Sequence, residues 1–145
     1  MREIKFRGKT KYGSCWVYGY YFLKITEEGK PIHQIIENYS DLNRHNPGMK
    51  VNFHQVRPET VGQFIGSKDE NGNKIYEGNI VDYWNPNGDY VGREVIEYRK
   101  GTGYEIRTPF VEEYDLTTIG WAIKDGYKFE IIGNKSENQE LLKEE

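Results

Sequence analysis

Short runs of apolar and aromatic residues recur about every ten residues along this chain, and glycine-containing turns separate them. Runs of this length and spacing are typical of a small barrel or sandwich, because each run spans one strand and each turn reverses the chain. Tyrosine, which favours half-buried pleated surfaces, occurs 12 times, and glycine, which favours turns, 16 times. We therefore predict a mainly β fold, α+β at most, built from short antiparallel strands.

The individual strands follow from alternation of polar and apolar residues. Residues 3–7 alternate between charged and apolar side chains, and CWVYGYYFL (15–23) can pair with them as a hairpin, with Gly19 as an expected bulge. Residues 33–39 read as a third strand, although a short helical turn is an alternative. Further strands are predicted at 51–56, 61–65, 79–85, 93–99, 103–108, 115–123 and 127–133.

One polar stretch offers an internal boundary. Residues 41–50, DLNRHNPGMK, contain a Pro-Gly pair and show no periodicity, so they are expected to form a loop. This loop would separate a β-rich N-terminal subdomain or extension, 1–50, from a larger part, 51–145. At the other end, SENQELLKEE predicts one short C-terminal helix capped by Ser136.

Charge and cysteine content limit the classes of function. The 20 Lys+Arg and 23 Asp+Glu residues give a net charge of -3, so no global positive field draws the chain to nucleic acid or anionic membrane. Cys15 is the single cysteine, which excludes an intrachain disulfide. No apolar run approaches the length of a membrane span or forms a signal peptide. We expect a cytoplasmic protein that does not contact membranes.

The stretch DENGNKIYEGNIV (69–81) resembles a calcium loop and a hairpin turn at once. A calcium loop that starts at Asp69 needs glycine at its sixth position and glutamate at its twelfth, where this chain has Lys74 and Ile80. The pair Asn71-Gly72 instead predicts a type I′ hairpin turn. A second turn is expected at 77–78, with Ile75 and Tyr76 between the turns as buried anchors.

No local motif for catalysis or metal binding is present. Cys15 begins an aromatic run and is expected to be a buried, inert thiol. His33, His45 and His54 are irregularly spaced and form neither an HxH nor an HExxH pattern. We predict no catalytic residue, no metal and no cofactor, hence a protein that is not an enzyme. A site assembled from distant residues, such as Cys15, His54 and Glu59, is the remaining enzymatic alternative.

Nucleic-acid binding rests on basic and aromatic residues of two adjacent predicted strands, a combination that small β-barrels use for single strands. Glu94, Glu97 and Glu105 are interleaved with these basic residues and cancel much of their local field. The candidate contacts are Arg93, Arg99, Lys100, Arg107, Tyr98 and Tyr104.

Three segments carry a family resemblance: MREIKFRGK at the start, RPETVGQFIGSKDENGNKIYEGNIV in the middle and FEIIGNKSENQELL near the end. Together they resemble the YopX family of bacteriophage and prophage proteins, over essentially the whole chain. Asn79 stands where the family more often has aspartate, and Gln139 where it more often has proline. The residues matching the family motif, expected to be structural, are Pro58, Gly62, Gly66, Asp69, Asn71, Gly72, Ile75, Tyr76, Glu77, Gly78, Gly133 and Asn134.

The resemblance implies an SH3-like barrel in the second part, a Gram-positive host or its phage, and a homo-oligomer; it implies no particular activity. The leading hypothesis is a phage or prophage accessory protein that acts by binding or self-assembly, with a phage or host protein or its own copies as partner. Tyrosine-rich strands support it, because aromatic residues are enriched at interfaces. The alternatives are a nucleic-acid-binding β-barrel module and an enzyme whose site the sequence does not reveal.

Overall fold

The computed structural model describes residues 3–37, 52–99, 103–106 and 119–143, with 98–99 and 103–106 described by their backbone. The chain divides into two compact units, Met1–Gln63 and Phe64–Glu145. Both consist of short antiparallel strands, which confirms the predicted mainly β class. The predicted boundary loop, 41–50, lies outside the described residues.

The first unit is built on a four-stranded antiparallel arrangement. Its strands are β1 (Phe6–Lys9), β2 (Trp16–Ile25), β3 (Pro31–Glu37) and β4 (Phe53–Gln55), in the order β4-β3-β2-β1. A 3-10 helix, Pro58–Thr60, follows, and β5 (Gly62–Lys68) begins where Gly62 pairs with Arg7 of β1.

One face of this sheet forms the core of the first unit. Val17, Ile35 and Val56 are buried there, and Phe6, Tyr21 and Val61 pack around them. A Cβ added to Gly8 would lie 3.2 Å from both Ile35 and Val56, so a glycine leaves room for these side chains. Since side chains alternate across a strand, the neighbours of Phe6 and Gly8 point to the opposite face.

Gly19 lies in an unbroken part of the sheet, so the predicted bulge is wrong. It pairs with Phe6 on one side and Glu37 on the other, without a shift of register. A Cβ at this position would lie 1.9 Å from the carbonyl oxygen of Ile36. Gly19 has a φ of 159°, at which a Cβ would project into the backbone of β3, so glycine is required here.

The second unit contains the remainder of β5 and the other elements. These are β6 (Lys74–Tyr76), β7 (Asn79–Trp84), β8 (Tyr90–Arg99), β9 (Gly103–Ile106), helix α1 (Ile119–Lys124), β10 (Lys128–Asn134) and a 3-10 helix, Gln139–Leu142. Strands β5 and β6 pair as a hairpin, and a four-stranded sheet has the order β10-β7-β8-β9. Between β10 and β9 the described residues form no pairing, so the predicted SH3-like barrel is not confirmed.

Apolar residues of both the sheet and α1 form the second core. Tyr83 and Phe129 stack with their ring centroids 5.5 Å apart, and burial raises the pKa of the Tyr83 phenol above its ordinary value. Helix α1 contributes Ile119 and Ala122, three residues apart and therefore on one helical face. The predicted strand at 115–123 is wrong for residues 119–123, and 115–118 lie outside the described residues. The short apolar run IGWAI fits both the helical period of 3.6 residues and the strand period of two, and packing against the second core favours the helix.

The C-terminal helix is a single 3-10 turn, and its predicted cap is wrong. Asn138 precedes the turn and makes no side-chain cap. The backbone N–H groups of Ser136 and Glu137 instead donate to Oδ1 of Asn134, each at 3.0 Å. Asn134 therefore organises the turn after β10, and Ser136 only takes part through its backbone.

Three loops, 26–30, 69–73 and 85–89, share one geometry. The fourth residue of each is a glycine whose N–H donates to the carbonyl of the first, at 2.9–3.0 Å. A side-chain oxygen of the first residue accepts the N–H of the fifth, at 2.8–3.0 Å. Gly29, Gly72 and Gly88 have φ between 82° and 86°, a region that other residues adopt at a cost. In each loop three residues connect the two hydrogen-bonded end residues, and the last of the three is the glycine.

Candidate functional site

The stretch 69–81 is a structural support rather than a ligand loop. The Oδ1 atom of Asp69 accepts the N–H groups of Asn71 and Asn73, at 3.0 and 2.8 Å. Within the described residues Asn71 does not have a positive φ, so the predicted type I′ turn is wrong. Instead of that turn, residues 69–73 form a wider loop, which the Asp69 side chain stabilises.

Asp69 also connects this loop to a distant strand of the same unit. Its Oδ2 atom accepts the N–H of Ile131 in β10 at 3.1 Å, and the N–H of Glu70 donates to the carbonyl of Phe129 at 2.8 Å. The Asp69 residue is buried, and its two carboxylate oxygens accept three backbone N–H groups. Carboxylate oxygens occupied in this way stabilise the fold and are poorly placed to bind a cation.

The second turn of the motif lies between β6 and β7. Oδ1 of Asn79 accepts the N–H of Tyr76 at 2.7 Å, and the carbonyl of Gly78 accepts the N–H of Lys135 at 2.8 Å. Ile75 and Tyr76 are buried, as predicted. Asn79 also donates through Nδ2 to the carbonyl of Gly133 at 3.4 Å, which an aspartate at this position could not do.

Other motif residues also serve packing and backbone geometry. A Cβ at Gly133 would lie 2.7 Å from Oδ1 of Asn138, so glycine lets the Asn138 side chain approach β10. Pro58 begins a 3-10 helix, and Gly66 has a φ of 92° where the pairing of β5 with β6 is irregular. The motif residues therefore stabilise turns and contacts between strands, and a binding surface is expected on other residues.

The predicted nucleic-acid contacts lie on β8 and β9 or outside the described residues. Arg93 forms a bidentate ion pair with Asp82, with N···O distances of 2.9 and 3.2 Å. Its Nη1 donates to the carbonyl of Leu141 at 3.3 Å, so its charge and donors are used within the unit. Tyr98 and Tyr104 are register partners on adjacent strands, and Arg99 is paired with Gly103. Lys100 and Arg107 lie outside the described residues.

Cys15 is exposed, so the predicted buried thiol is wrong. It lies in the turn between β1 and β2, where its N–H donates to Oγ1 of Thr10 at 3.0 Å.

The described histidines are hydrogen-bonded to other side chains. Nδ1 of His33 is 2.5 Å from the Tyr21 hydroxyl, and Nε2 of His54 is 2.8 Å from Oε1 of Glu37. No hydrogen bond joins Cys15 to a histidine among the residues described, and His45 is outside them. The same part of the chain contains no group of three or more His, Cys, Asp or Glu side chains that could hold a metal.

A surface of a different kind lies on the first unit, on the side of the sheet opposite its core. Register pairs place Arg7 beside Tyr18 and Lys9 beside Trp16, and paired residues share a face. Alternation adds Tyr20 on β2 and Lys5, the residue that precedes β1. We call this surface the basic-aromatic face and define it by Lys5, Arg7, Lys9, Trp16, Tyr18 and Tyr20.

On the basic-aromatic face a row of cations lies beside a row of rings, at cation–π distances. The guanidinium carbon of Arg7 lies 4.5 Å from the Trp16 ring centroid, and Nζ of Lys9 lies 5.8 Å from the same centroid. Nζ of Lys5 lies 5.9 Å from the ring centroid of Tyr18. The face therefore holds positive charge and aromatic surface together.

The members of the face differ in accessibility. Tyr18 and Tyr20 are 42% and 48% exposed, whereas Arg7 is 9% exposed. Lys5 and Lys9 are partly exposed. Trp16 is also partly exposed, so a ligand could reach all three rings and the two ammonium groups, while the Arg7 guanidinium lies against the Trp16 ring.

Formal charge is distributed unequally between the two units. Residues 1–63 contain 10 Lys+Arg and 6 Asp+Glu, a net of +4, whereas residues 64–145 contain 10 and 17, a net of -7. The net charge of -3 for the whole chain conceals this difference. A positive potential is thus expected around the first unit and a negative one around the second.

The sequence contains patterns that predict part of this face, beyond the residues named as candidate contacts. Lys5 and Arg7 alternate with apolar residues before β2, and an aromatic residue occurs at every second position from 16 to 22. Counting charge over each half of the chain would have placed the basic surface in the first unit. The predicted hairpin of β1 with β2 is confirmed, and its register, which places the two series side by side, becomes visible only in the structure.

Comparison with known proteins gives a family and a fold. A family model described as YopX protein matches residues 5–143. No curated protein matches the sequence. The fold is similar to the crystal structure of protein EF1440 from Enterococcus faecalis, with a TM-score of 0.51 and 21% identity, covering 99% of this chain and 100% of that one. In the described ranges, no helix has the length and hydropathy needed to cross a bilayer.

Proposed function

Because this chain belongs to the YopX family along nearly all of its length, we propose that it is a phage or prophage accessory protein, working in the host cytoplasm, that acts by binding rather than catalysis. Its basic-aromatic face binds single-stranded nucleic acid. The observation that carries this proposal is the row of basic side chains on and just before β1 that lies beside the row of aromatic rings on β2.

The chemistry of the face matches the two features of a single strand. Bases have flat π surfaces that stack on aromatic rings without regard to sequence, and phosphates are neutralised by basic side chains. Tyr18 and Tyr20 supply accessible rings, and Lys5 and Lys9 supply ammonium groups within 6 Å of aromatic centroids. The net charge of +4 on residues 1–63 attracts a polyanion to this unit rather than to the second.

A duplex fits this surface less well. Reading the major groove of B-DNA requires a helix or a two-stranded ribbon that can enter it. Here the rings lie on β2, an inner strand with β1 and β3 on its two sides, so the surface is too broad to enter a groove. In a duplex the base faces are also stacked on one another, so Tyr18 and Tyr20 would have nothing to stack on.

The proposal predicts salt-dependent binding of a fluorescein-labelled 12-nucleotide oligo(dT), measured by fluorescence anisotropy. Affinity should fall as salt rises, with a slope of log K against log[salt] of about -1.4 or steeper if two phosphates are neutralised. Replacing Lys5 and Lys9 together by glutamate should weaken binding about 10-fold or more, since two attractive charges become repulsive.

A matched charge change serves as the control. Lys124 and Lys128 are exposed lysines of the second unit, and replacing both by glutamate changes the net charge by the same amount. This variant should bind within about twofold of the unaltered protein, because its charges lie outside the basic-aromatic face. Equal losses in both variants, or no binding at about 50 mM salt, would contradict the proposal.

A second candidate function, self-assembly, is favoured by an exposed tryptophan. Trp121 on α1 is 64% exposed, and Leu142 in the same unit is also exposed. Because the two units have opposite net charges, the first unit of one copy and the second unit of another attract each other. We propose a homo-oligomer in which Trp121 is buried against a second copy.

Light scattering after size-exclusion chromatography tests the oligomer. The mass should be a multiple of 17.1 kDa, and Trp121→Ser should shift it toward the monomer, because the largest exposed apolar side chain is removed. Trp84→Phe, a change within the second unit that leaves α1 intact, provides the comparison. A mass of 17.1 kDa at high protein concentration would exclude self-assembly.

A further inference from the structure

We infer that a single strand lies along β2 in an extended form, with one base on each of the rings of Trp16, Tyr18 and Tyr20 and its phosphates on the side of β1. This inference rests on the proposed nucleic-acid function and specifies how the ligand is held. It makes the minimum ligand a run of three nucleotides of any sequence.

The spacing of the three rings determines the form of the ligand. Alternate residues of an antiparallel strand are about 6.8 Å apart, since each residue rises about 3.4 Å. Trp16, Tyr18 and Tyr20 are alternate residues of β2 on one face. Neighbouring bases of a stacked strand are about 3.4 Å apart, half the distance between neighbouring rings. Bases that each occupy one ring must therefore be unstacked from one another, and the strand is extended.

The aromatic series ends at Tyr20. The next residue on this face, Phe22, is partly buried, and its ring meets that of Phe53 edge to face with centroids 5.9 Å apart. This contact covers part of the Phe22 ring, so Phe22 is less accessible to a base than Tyr18 and Tyr20 are. Three bases are thus the expected footprint of the aromatic series.

The basic residues lie to one side of the rings. Strand β1 is hydrogen-bonded to β2, which places its side chains about 4.8 Å away in the plane of the sheet. Lys9 is level with Trp16, and Lys5 approaches Tyr18. The sugar-phosphate backbone therefore follows β1, with Lys5 and Lys9 each neutralising one phosphate.

Arg7 has a different part from the two lysines. It is 9% exposed and its guanidinium packs on the Trp16 ring at 4.5 Å. A side chain so deeply covered positions the tryptophan for stacking, and it does not reach a phosphate. The expected number of neutralised phosphates is accordingly two.

Oligo(dT) of one, two, three, six and twelve nucleotides tests the footprint by fluorescence anisotropy. Affinity should rise steeply up to three nucleotides. For longer strands it should rise only in proportion to the number of overlapping three-nucleotide sites that the strand offers. Oligo(dA), oligo(dT) and oligo(rU) of equal length should bind within about tenfold of one another, because stacking is tolerant of sequence. A duplex of the same length should bind more weakly than either of its strands.

Ring and charge variants separate the two sets of contacts. Tyr18→Ala and Tyr20→Ala should each weaken binding of the 12-nucleotide oligo(dT) about 5- to 150-fold, which is the usual range for losing one stacked base. Tyr18→Phe and Tyr20→Phe keep a ring and should bind within about twofold. Lys5→Gln and Lys9→Gln should each make the salt slope shallower by about 0.7. Tyr90→Ala, which removes an exposed aromatic ring of the second unit, should change neither quantity.

The outcomes distinguish the inference from the function on which it rests. The extended strand is supported if the alanine variants lose affinity and the phenylalanine variants retain it. It also requires shallower salt slopes in the glutamine variants. Binding that depends on Lys5 and Lys9 but not on either tyrosine overturns it and leaves the proposed function standing. Stronger binding of duplex than of single strand also overturns it. No binding of any oligonucleotide removes both. Unchanged far-UV circular dichroism confirms that each variant is folded.

Discussion

Gly19→Ala is expected to prevent the first unit from forming its sheet. The added Cβ would lie 1.9 Å from the carbonyl oxygen of Ile36 and 3.1 Å from Cα of Glu37. Both are backbone atoms of β3, so no side-chain movement relieves the overlap, and either the φ of 159° must change or β2 and β3 must separate. We expect a loss of about 4 kcal/mol or more, a large share of the 5–15 kcal/mol that stabilises a typical domain.

Urea denaturation followed by circular dichroism measures this loss, and hydrogen exchange locates it in β2 and β3. Gly29→Ala is the matched control, because Gly29 lies in the loop between the same two strands and a Cβ there meets no atom within 4 Å. Its φ of 82° still penalises alanine, by about 1–2 kcal/mol. Equal destabilisation by the two substitutions would show that the close approach of β2 to β3 is not what requires glycine.

Asp69→Ala is expected to destabilise the second unit by about 2–4 kcal/mol. The substitution leaves the N–H groups of Asn71, Asn73 and Ile131 without their acceptor, and Asp69 is itself buried. Asp69→Asn should cost less, because an amide offers one oxygen to these donors. It should still cost more than a surface change, since its NH₂ group must face at least one N–H.

Asn85 gives the comparison, because it begins a loop of the same geometry. Its Oδ1 accepts the N–H groups of Asn87 and Asp89, at 3.0 and 2.9 Å, and both bonds are exposed to water. Asn85→Ala should therefore cost about 0.5–1.5 kcal/mol, the ordinary net value of a hydrogen bond. Thermal unfolding of the three variants gives the ranking, and a loss at Asn85 as large as that at Asp69 would contradict the role assigned to the bond with Ile131.

Much of the strand content was predictable because period-two alternation reflects a sheet with one buried face. Residues 51–56 alternate in this way and contain β4, whereas 15–23 and 79–85 are apolar runs bounded by turn residues and contain most of β2 and all of β7. The run 115–123 was misassigned because IGWAI has apolar residues at both helical and strand spacings, and only contact with the core of the second unit decides between them. Local patterns cannot resolve what tertiary packing determines.

The candidate surface was less predictable than the fold. Lys5 and Tyr18 are thirteen residues apart in the chain, and nothing in either segment alone shows that they meet. Their contact depends on the register of β1 with β2, which the turn at 10–15 sets. Gly19 was expected to interrupt β2, because a glycine within a strand reads the same whether it forms a bulge or admits a neighbouring backbone.

The bond between Asp69 and Ile131 also bears on the order in which the second unit folds. Asp69 and Asn73 are four residues apart, so their loop closes locally, whereas Ile131 is 62 positions from Asp69. Hairpins form within about 1–10 μs, and pairings of high sequence separation come later because a long segment must be ordered first. We therefore expect the Asp69 carboxylate to be oriented by its own loop before β10, the last strand, pairs with it.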